Sequence, residues 1–210
     1  MKLLQKIGLF IGALACAASA FASVDTSTPD VLVKNVTEEV LTIVRQDKDL
    51  QNGNTKKAVA LVETKVLPHF NFTRMTGLAL GRDWNKATPD QKRVLTQEFR
   101  TLLVRTYSNA LTAYRDQTVE YKPFKMAPGD TDVTVRTQVN QKRGKPIQLD
   151  YVLEKEADGW KVYDVVVAGV SLVTNYRSSF SQEVHSNGMD GLIKMLQAKN
   201  KALDSGNGKK

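Results

Sequence analysis

One stretch, WKVYDVVVAGVSLVTNYRSSF (Trp160 to Phe180), constrains the fold more than any other. It begins as a strand and ends as a helix. Trp160, Val162, Val166 and Ala168 recur at period two, and Tyr163, Val165, Val167 and Val170 are apolar as well. A strand apolar on both faces is covered on both. Gly169 interrupts the run, and Ser171 stands where a helix N-cap belongs, ahead of Leu172, Tyr176 and Phe180 at period four. The segment therefore ties a sheet to a helix.

The chain has 210 residues, enough for one domain with a sizeable core. Residues 1–22 read as an export signal rather than as fold. Lys2 and Lys6 form a basic region, Ile7 to Ala18 is apolar, and Ala20-Phe21-Ala22 is a small-x-small cleavage site. Cys16 is the single cysteine and lies in that segment. A lipoprotein reading would process there, but Ala13 stands where such a motif requires a branched aliphatic. Cleavage after Ala22 leaves no cysteine, so the core must suffice without disulfides. The net charge is +8, and removing the two leader lysines leaves 28 basic against 22 acidic residues. A mildly basic exported chain without an aromatic–basic motif excludes nucleic acid as a partner and favours anionic membrane surfaces or acidic proteins.

Pro29 opens a first helix, with Val31, Leu32, Val36, Val40, Leu41 and Val44 at helical spacing. A turn over Asp49 to Asn54 leads to a second helix, Thr55 to about Leu67. HFNFTRMTGLALG follows, low in charge and fit either for core or for the lining of an apolar site. The N-x-T triplets at Asn35 and Asn71 are read as chance. Thr88-Pro89-Asp90-Gln91 is a capping box that starts a long helix. Its apolar face runs through Leu95, Phe99, Leu102, Leu103, Tyr107, Leu111 and Tyr114.

After Asp116 the period becomes two. Val119 and Tyr121, then Val133, Val135, Thr137 and Val139, then Ile147, Leu149, Tyr151 and Leu153, alternate with polar residues. The turns PGD, KRGKP and ADG separate them. This is an antiparallel meander of four strands, Trp160 to Val167 being the last, with one apolar face. Flanking helices must cover it, which makes the class α+β. The parts are a helical region at about 28–115, the meander at about 117–168, closing helices at about 171–202 and a tail at 204–210.

The catalytic inventory is thin. His69 and His185 sit in no zinc pattern, and no phosphate loop or nucleophile elbow is present. Asp164 is the one acid placed on the apolar strand, on the face of Trp160, Val162 and Val166; it serves either as a base in a small isomerase- or dehydratase-like pocket, or as a partner for a helix-end amide or for Arg177. Asp150 falls on the wet face. No cofactor or metal is expected. Physical patterning alone ends at an exported α+β binding domain, with a protein-binding adaptor as a further reading.

The ordered set GLALGRDWNKATPDQKRVLTQEFRTLLVRTYSNAL, LDYVL, WKVYDVVVAGVSLVTNYRSSF and GMDGLI resembles the MlaC family, also called toluene-tolerance or organic-solvent-resistance auxiliary proteins. The resemblance implies a periplasmic phospholipid carrier with an NTF2-like sheet, an added helical half, and an apolar pocket between them for acyl chains. It implies shuttling between an outer-membrane lipoprotein–porin complex and an inner-membrane ABC transporter with an MCE-domain subunit, with no catalysis. Candidate lining residues are Met75, Leu78, Phe99, Leu102, Tyr107, Leu111, Val133, Val135, Leu149, Tyr151, Leu153, Val165 and Val167. A basic rim would draw on Arg74, Arg82, Lys86, Arg115 and Arg177, and Gly77, Gly81, Gly169 and Gly188 mark close packing or hinges.

Overall fold

Residues 26–142 and 144–207 are described by a computed structural model. The leader at 1–22 lies outside them. Helix α1 (Pro29–Gln46) starts at the expected proline and is followed by the short α2 (Lys48–Gln51), so the expected turn is one helical turn closed at Asn52–Gly53. Asp47 caps α2, accepting from the Asp49 and Leu50 amides. α3 (Thr55–Leu61) then widens into a π-turn at Val62–Val66 and tightens into a 3₁₀ turn at Leu67–His69. α4 (Phe72–Leu80) is capped by Asn71. α5 (Pro89–Tyr107) begins with the full capping box of Thr88 and Gln91 and ends before the short α6 (Asn109–Thr112).

The sheet has five antiparallel strands in the order β1 (Thr118–Tyr121), β2 (Asp132–Asn140), β3 (Ile147–Glu156), β4 (Gly159–Val167) and β5 (Val170–Ser171). The fifth strand corrects the expectation of four. Ala168 (φ 50°) and Gly169 (φ 84°) both adopt left-handed backbone, the geometry of a two-residue hairpin loop, so the chain folds back on β4 before the helix begins. Ser171 then caps α7 (Leu172–Asn207), its Oγ accepting from the Thr174 amide at 3.0 Å. α7 breaks at Gly188 (φ 71°, ψ −176°) and continues through Asn207.

A second correction concerns β4. Val152 faces Asp164, but Leu153 faces Val162, so Tyr163 is an extra residue, a β-bulge. The bulge inverts the alternation. Trp160 and Val162 share a face with Val165 and Val167, while Asp164 and Val166 turn to the other side. Both faces of β4 are apolar, so its valines carry no trace of the shift, and Asp164 is the one polar residue whose face it changes.

The two faces pack on different elements. On the inner face, Val135, Leu153, Trp160, Val162 and Val165 form a core with Leu32 and Val33 of α1. On the outer face, Tyr163 joins the core of α4, α5 and α7, built on Met75, Leu95, Phe99, Leu102, Phe180 and Leu192. There Phe99, Tyr176 and Phe180 pack their rings 5.1–5.4 Å apart. A third cluster joins the end of α1 to α2, α3 and α6. The cover on the sheet's apolar side is thus α1, whereas the Thr88 helix packs on α4 and α7.

Candidate functional site

Strand register assembles seven of the thirteen candidate residues on one surface. Val133 faces Leu153, Val135 faces Tyr151, Tyr151 faces Val165, and Leu149 faces Val167. Paired residues of antiparallel strands point to the same side, so the seven form one apolar face beneath α1. The other six lie elsewhere. Met75, Phe99 and Leu102 are buried in the helical core with Leu78 beside them, Leu111 borders the third cluster, and Tyr107 is exposed.

The inner face is sealed at one end and more exposed at the other. Leu153, Val162 and Trp160 are sealed, with Phe70 packed beside them from a segment that hydrogen-bonds along the β4 edge. Toward the β2–β3 hairpin, Leu149, Tyr151 and Val167 are only half-buried, and Val36, Phe124 and Leu172 flank them in the same state. Beyond these, Ile147 and Val170 are 38% and 55% exposed. Tyr151 is the most informative. Burial pushes its hydroxyl above the ordinary phenol range, yet the side chain keeps accessible surface. The inner face is thus an apolar strip, or trough, between sheet and α1 whose burial falls off toward the Ile147–Val170 end. Two open grooves of about 520 and 510 Å³ lie apart from it along α7, one before its break and one spanning it. Each is walled by residues of one helix and encloses nothing.

Polar groups in the trough are few. Tyr121 is on the inner face of β1, opposite Thr137, and its hydroxyl is pushed up to about 12, first by burial and then by the nearby Glu38 carboxylate. The Thr37 hydroxyl of α1 lies beside both Tyr121 and Tyr151. Thr137 is committed, donating to the Leu149 carbonyl at 2.6 Å.

Asp164 is on the opposite face from Trp160 and Val162, contrary to the face read from the sequence, because the bulge intervenes. Its Oδ1 accepts from the Val165 and Val173 amides at 2.8 and 3.2 Å, and its Oδ2 accepts from Ser171. It is a helix-end cap joining sheet to α7. Asp150 corrects a second expectation. It is 8% exposed rather than solvated; Gln148 donates to its Oδ2, and its Oδ1 has no partner among the described residues. Four of the proposed rim cations are engaged away from the trough. Arg74 stacks 3.6 Å from the Tyr163 ring centroid and pairs with Glu154 and Asp132. Arg177 donates to the Leu78 carbonyl, Arg115 to the Thr112, Tyr114 and Gln51 carbonyls, and Lys86 to Asp83. Arg82 is exposed near the end of α4. His69 is half-buried and His185 exposed. Among the described residues no group of three or more His, Cys, Asp or Glu could hold a metal ion, and no helix is long and apolar enough to cross a membrane.

The family model of the MlaC protein matches residues 34–198, from the first helix through the sheet and past the break in α7. The chain belongs to the MlaC family. Among MlaC relatives, the intermembrane phospholipid transport system binding protein MlaC of Haemophilus influenzae is 26% identical over 176 residues, covering 81% of this chain and 81% of that protein. The toluene tolerance protein ttg2D of Pseudomonas putida is 26% identical over 175 residues, covering 83% and 81%. A solved phospholipid-binding protein from Ralstonia solanacearum, determined in complex with a phospholipid, is 41% identical, with a TM-score of 0.78 over 83% of this chain and 98% of that one.

Proposed function

We propose that this chain is a periplasmic phospholipid carrier that takes acyl chains into the trough beneath α1 and leaves the headgroup outside. The observation that carries the reading is the phospholipid held by the Ralstonia solanacearum relative, 41% identical across 83% of the chain. The architecture is compatible with it: a five-stranded antiparallel sheet, a helical core on its other side, and an inner face whose half-buried apolar side chains can exchange water for hydrocarbon. Each methylene removed from water contributes about 0.8 kcal/mol, so two ordinary chains supply ample affinity without a headgroup contact. In this role Val133, Val135, Leu149, Tyr151, Leu153, Val165 and Val167 supply the wall, and acyl chains pass the Ile147–Val170 end. The carrier shuttles between an outer-membrane lipoprotein–porin complex and an inner-membrane ABC transporter with an MCE-domain subunit, and it catalyses nothing.

The test is direct. Mature chain purified from the periplasm is extracted and its lipid quantified by mass spectrometry, then the stripped chain is mixed with liposomes and re-isolated. About one phospholipid per chain, restored on mixing, is expected. No stoichiometric lipid in either preparation refutes the reading.

A further inference from the structure

The inner face carries one polar atom that the fold leaves unanswered. The Tyr121 hydroxyl is buried and makes no close hydrogen bond among the described residues; the Thr37 hydroxyl interacts with its oxygen as a donor, so Tyr121's own O–H has no acceptor. Native folds rarely leave such an atom, and each one calls for an explanation. A phenylalanine in β1 would fill the same space without the unmade bond. Tyr121 is also not isolated. It shares the inner face with Tyr151, as the register through Thr137 and Leu149 fixes, and Thr37 comes down from α1 beside both. Three hydroxyls from α1, β1 and β3 therefore gather in an otherwise apolar trough, between its sealed end at Leu153 and its exposed end at Ile147.

Resting on the phospholipid reading above, we propose that Tyr121, with Thr37 and Tyr151 beside it, donates a hydrogen bond to an ester carbonyl of the bound lipid, so that the chain selects ester-linked over ether-linked acyl chains. The chemistry of the surroundings selects this acceptor. A phenol held at about 12 keeps its proton throughout the physiological range and is a donor. The Glu38 carboxylate nearby opposes an anionic phosphate at the same place but leaves a neutral carbonyl unaffected. Within the part of a diacyl glycerophospholipid that enters an apolar trough, the ester carbonyls are the neutral acceptors, and an ether analogue of equal length lacks them. A site built to bond a group discriminates against the analogue without it, because its own donor is then left unpaired.

The experiment is a competition. Stripped mature chain is equilibrated with vesicles containing equal amounts of diester and diether phosphatidylcholine of identical chain length, and the bound ratio is read by mass spectrometry. The wild-type chain is expected to favour the diester about fivefold, the usual worth of one neutral hydrogen bond. Tyr121→Phe is expected to bring the ratio close to one with total bound lipid unchanged. Thr37→Val, which preserves shape, is expected to lower it by about half, and Tyr107→Phe, on the exposed end of α5, to leave it at the wild-type value. A wild-type ratio near one, or an unchanged ratio in both Tyr121→Phe and Thr37→Val, overturns the assignment while leaving the phospholipid reading intact. A chain that retains neither lipid overturns both.

Discussion

Asp164 offers the sharpest test of how sheet and helix are joined. Its carboxylate accepts from two backbone amides and one hydroxyl, and one of those amides belongs to Val173, only 1% exposed in the first turn of α7. Asp164→Ala removes all three acceptors and leaves the Val173 amide buried and unpaired. Hydrogen bonds to a charged group contribute about 1.5–3 kcal/mol and a buried orphan costs about 1–3 kcal/mol. Val165 and Ser171 recover part of this from solvent, so the net loss is about 3 kcal/mol. Asp164→Asn keeps an oxygen for both amides and turns its NH₂ toward Ser171, whose Oγ can accept; about 1 kcal/mol is lost. For a domain of this size those values correspond to shifts in Tm of about 6–12 °C and 2–4 °C. Urea unfolding of the three chains at equal lipid content, with lipid quantified in parallel, checks the order wild type, Asn, Ala. Both variants are expected to hold lipid as the wild type does. An Asp164→Ala chain within 0.5 kcal/mol of wild type, on the order of a bystander surface change, would refute the capping argument. An Asn variant of full stability that had lost a chemical turnover would revive Asp164 as a base.

Other outcomes follow from single contacts. Leu153, fully buried at the sealed end of the trough, should cost about 2–5 kcal/mol when cut to Ala, read as a lower urea midpoint, and a loss below about 1 kcal/mol would mean that the inner core collapses around the gap. Gly188 occupies a backbone region that is essentially restricted to glycine, so Gly188→Ala should cost about 1–3 kcal/mol despite open space around it, measured by thermal melting; no loss would mean that the α7 break relaxes freely. The His69 imidazole is held below its usual range by burial and then by the Lys161 charge. The folded chain therefore binds this proton less readily than the unfolded one, and stability present above about pH 6.5 declines as pH falls toward the folded value. His69→Gln should flatten that decline between about pH 7 and 5 in urea titrations, and an unaltered slope would assign it to other groups.

The local signals in the sequence were legible where one residue type has one use. The capping box at Thr88, the N-cap at Ser171 and the three alternating runs of the meander all stand where the pattern puts them. What escaped depends on relations between elements. The bulge at Tyr163 is nearly silent because β4 is apolar on both sides, so one inserted residue exchanges Val166 for Val165; its one trace is Asp164, which strict alternation leaves on the apolar face and the bulge turns away from it. Which of the flanking helices covers the inner face is not legible, because an amphipathic stripe states only that a helix has a buried side. α1 and α5 both carry such a stripe, and only the tertiary arrangement sends α1 to the sheet. Tyr121 and Asp150 were read as ordinary alternating residues, since periodicity does not report whether a hydroxyl or carboxylate finds a partner.

The sheet separates two apolar compartments that share little more than the Phe70 side chain, which touches both. A guest molecule swelling one compartment need not disturb the other. The helical half can act as a fixed abutment while α1 yields, and Phe70 is the place where any strain would cross the partition.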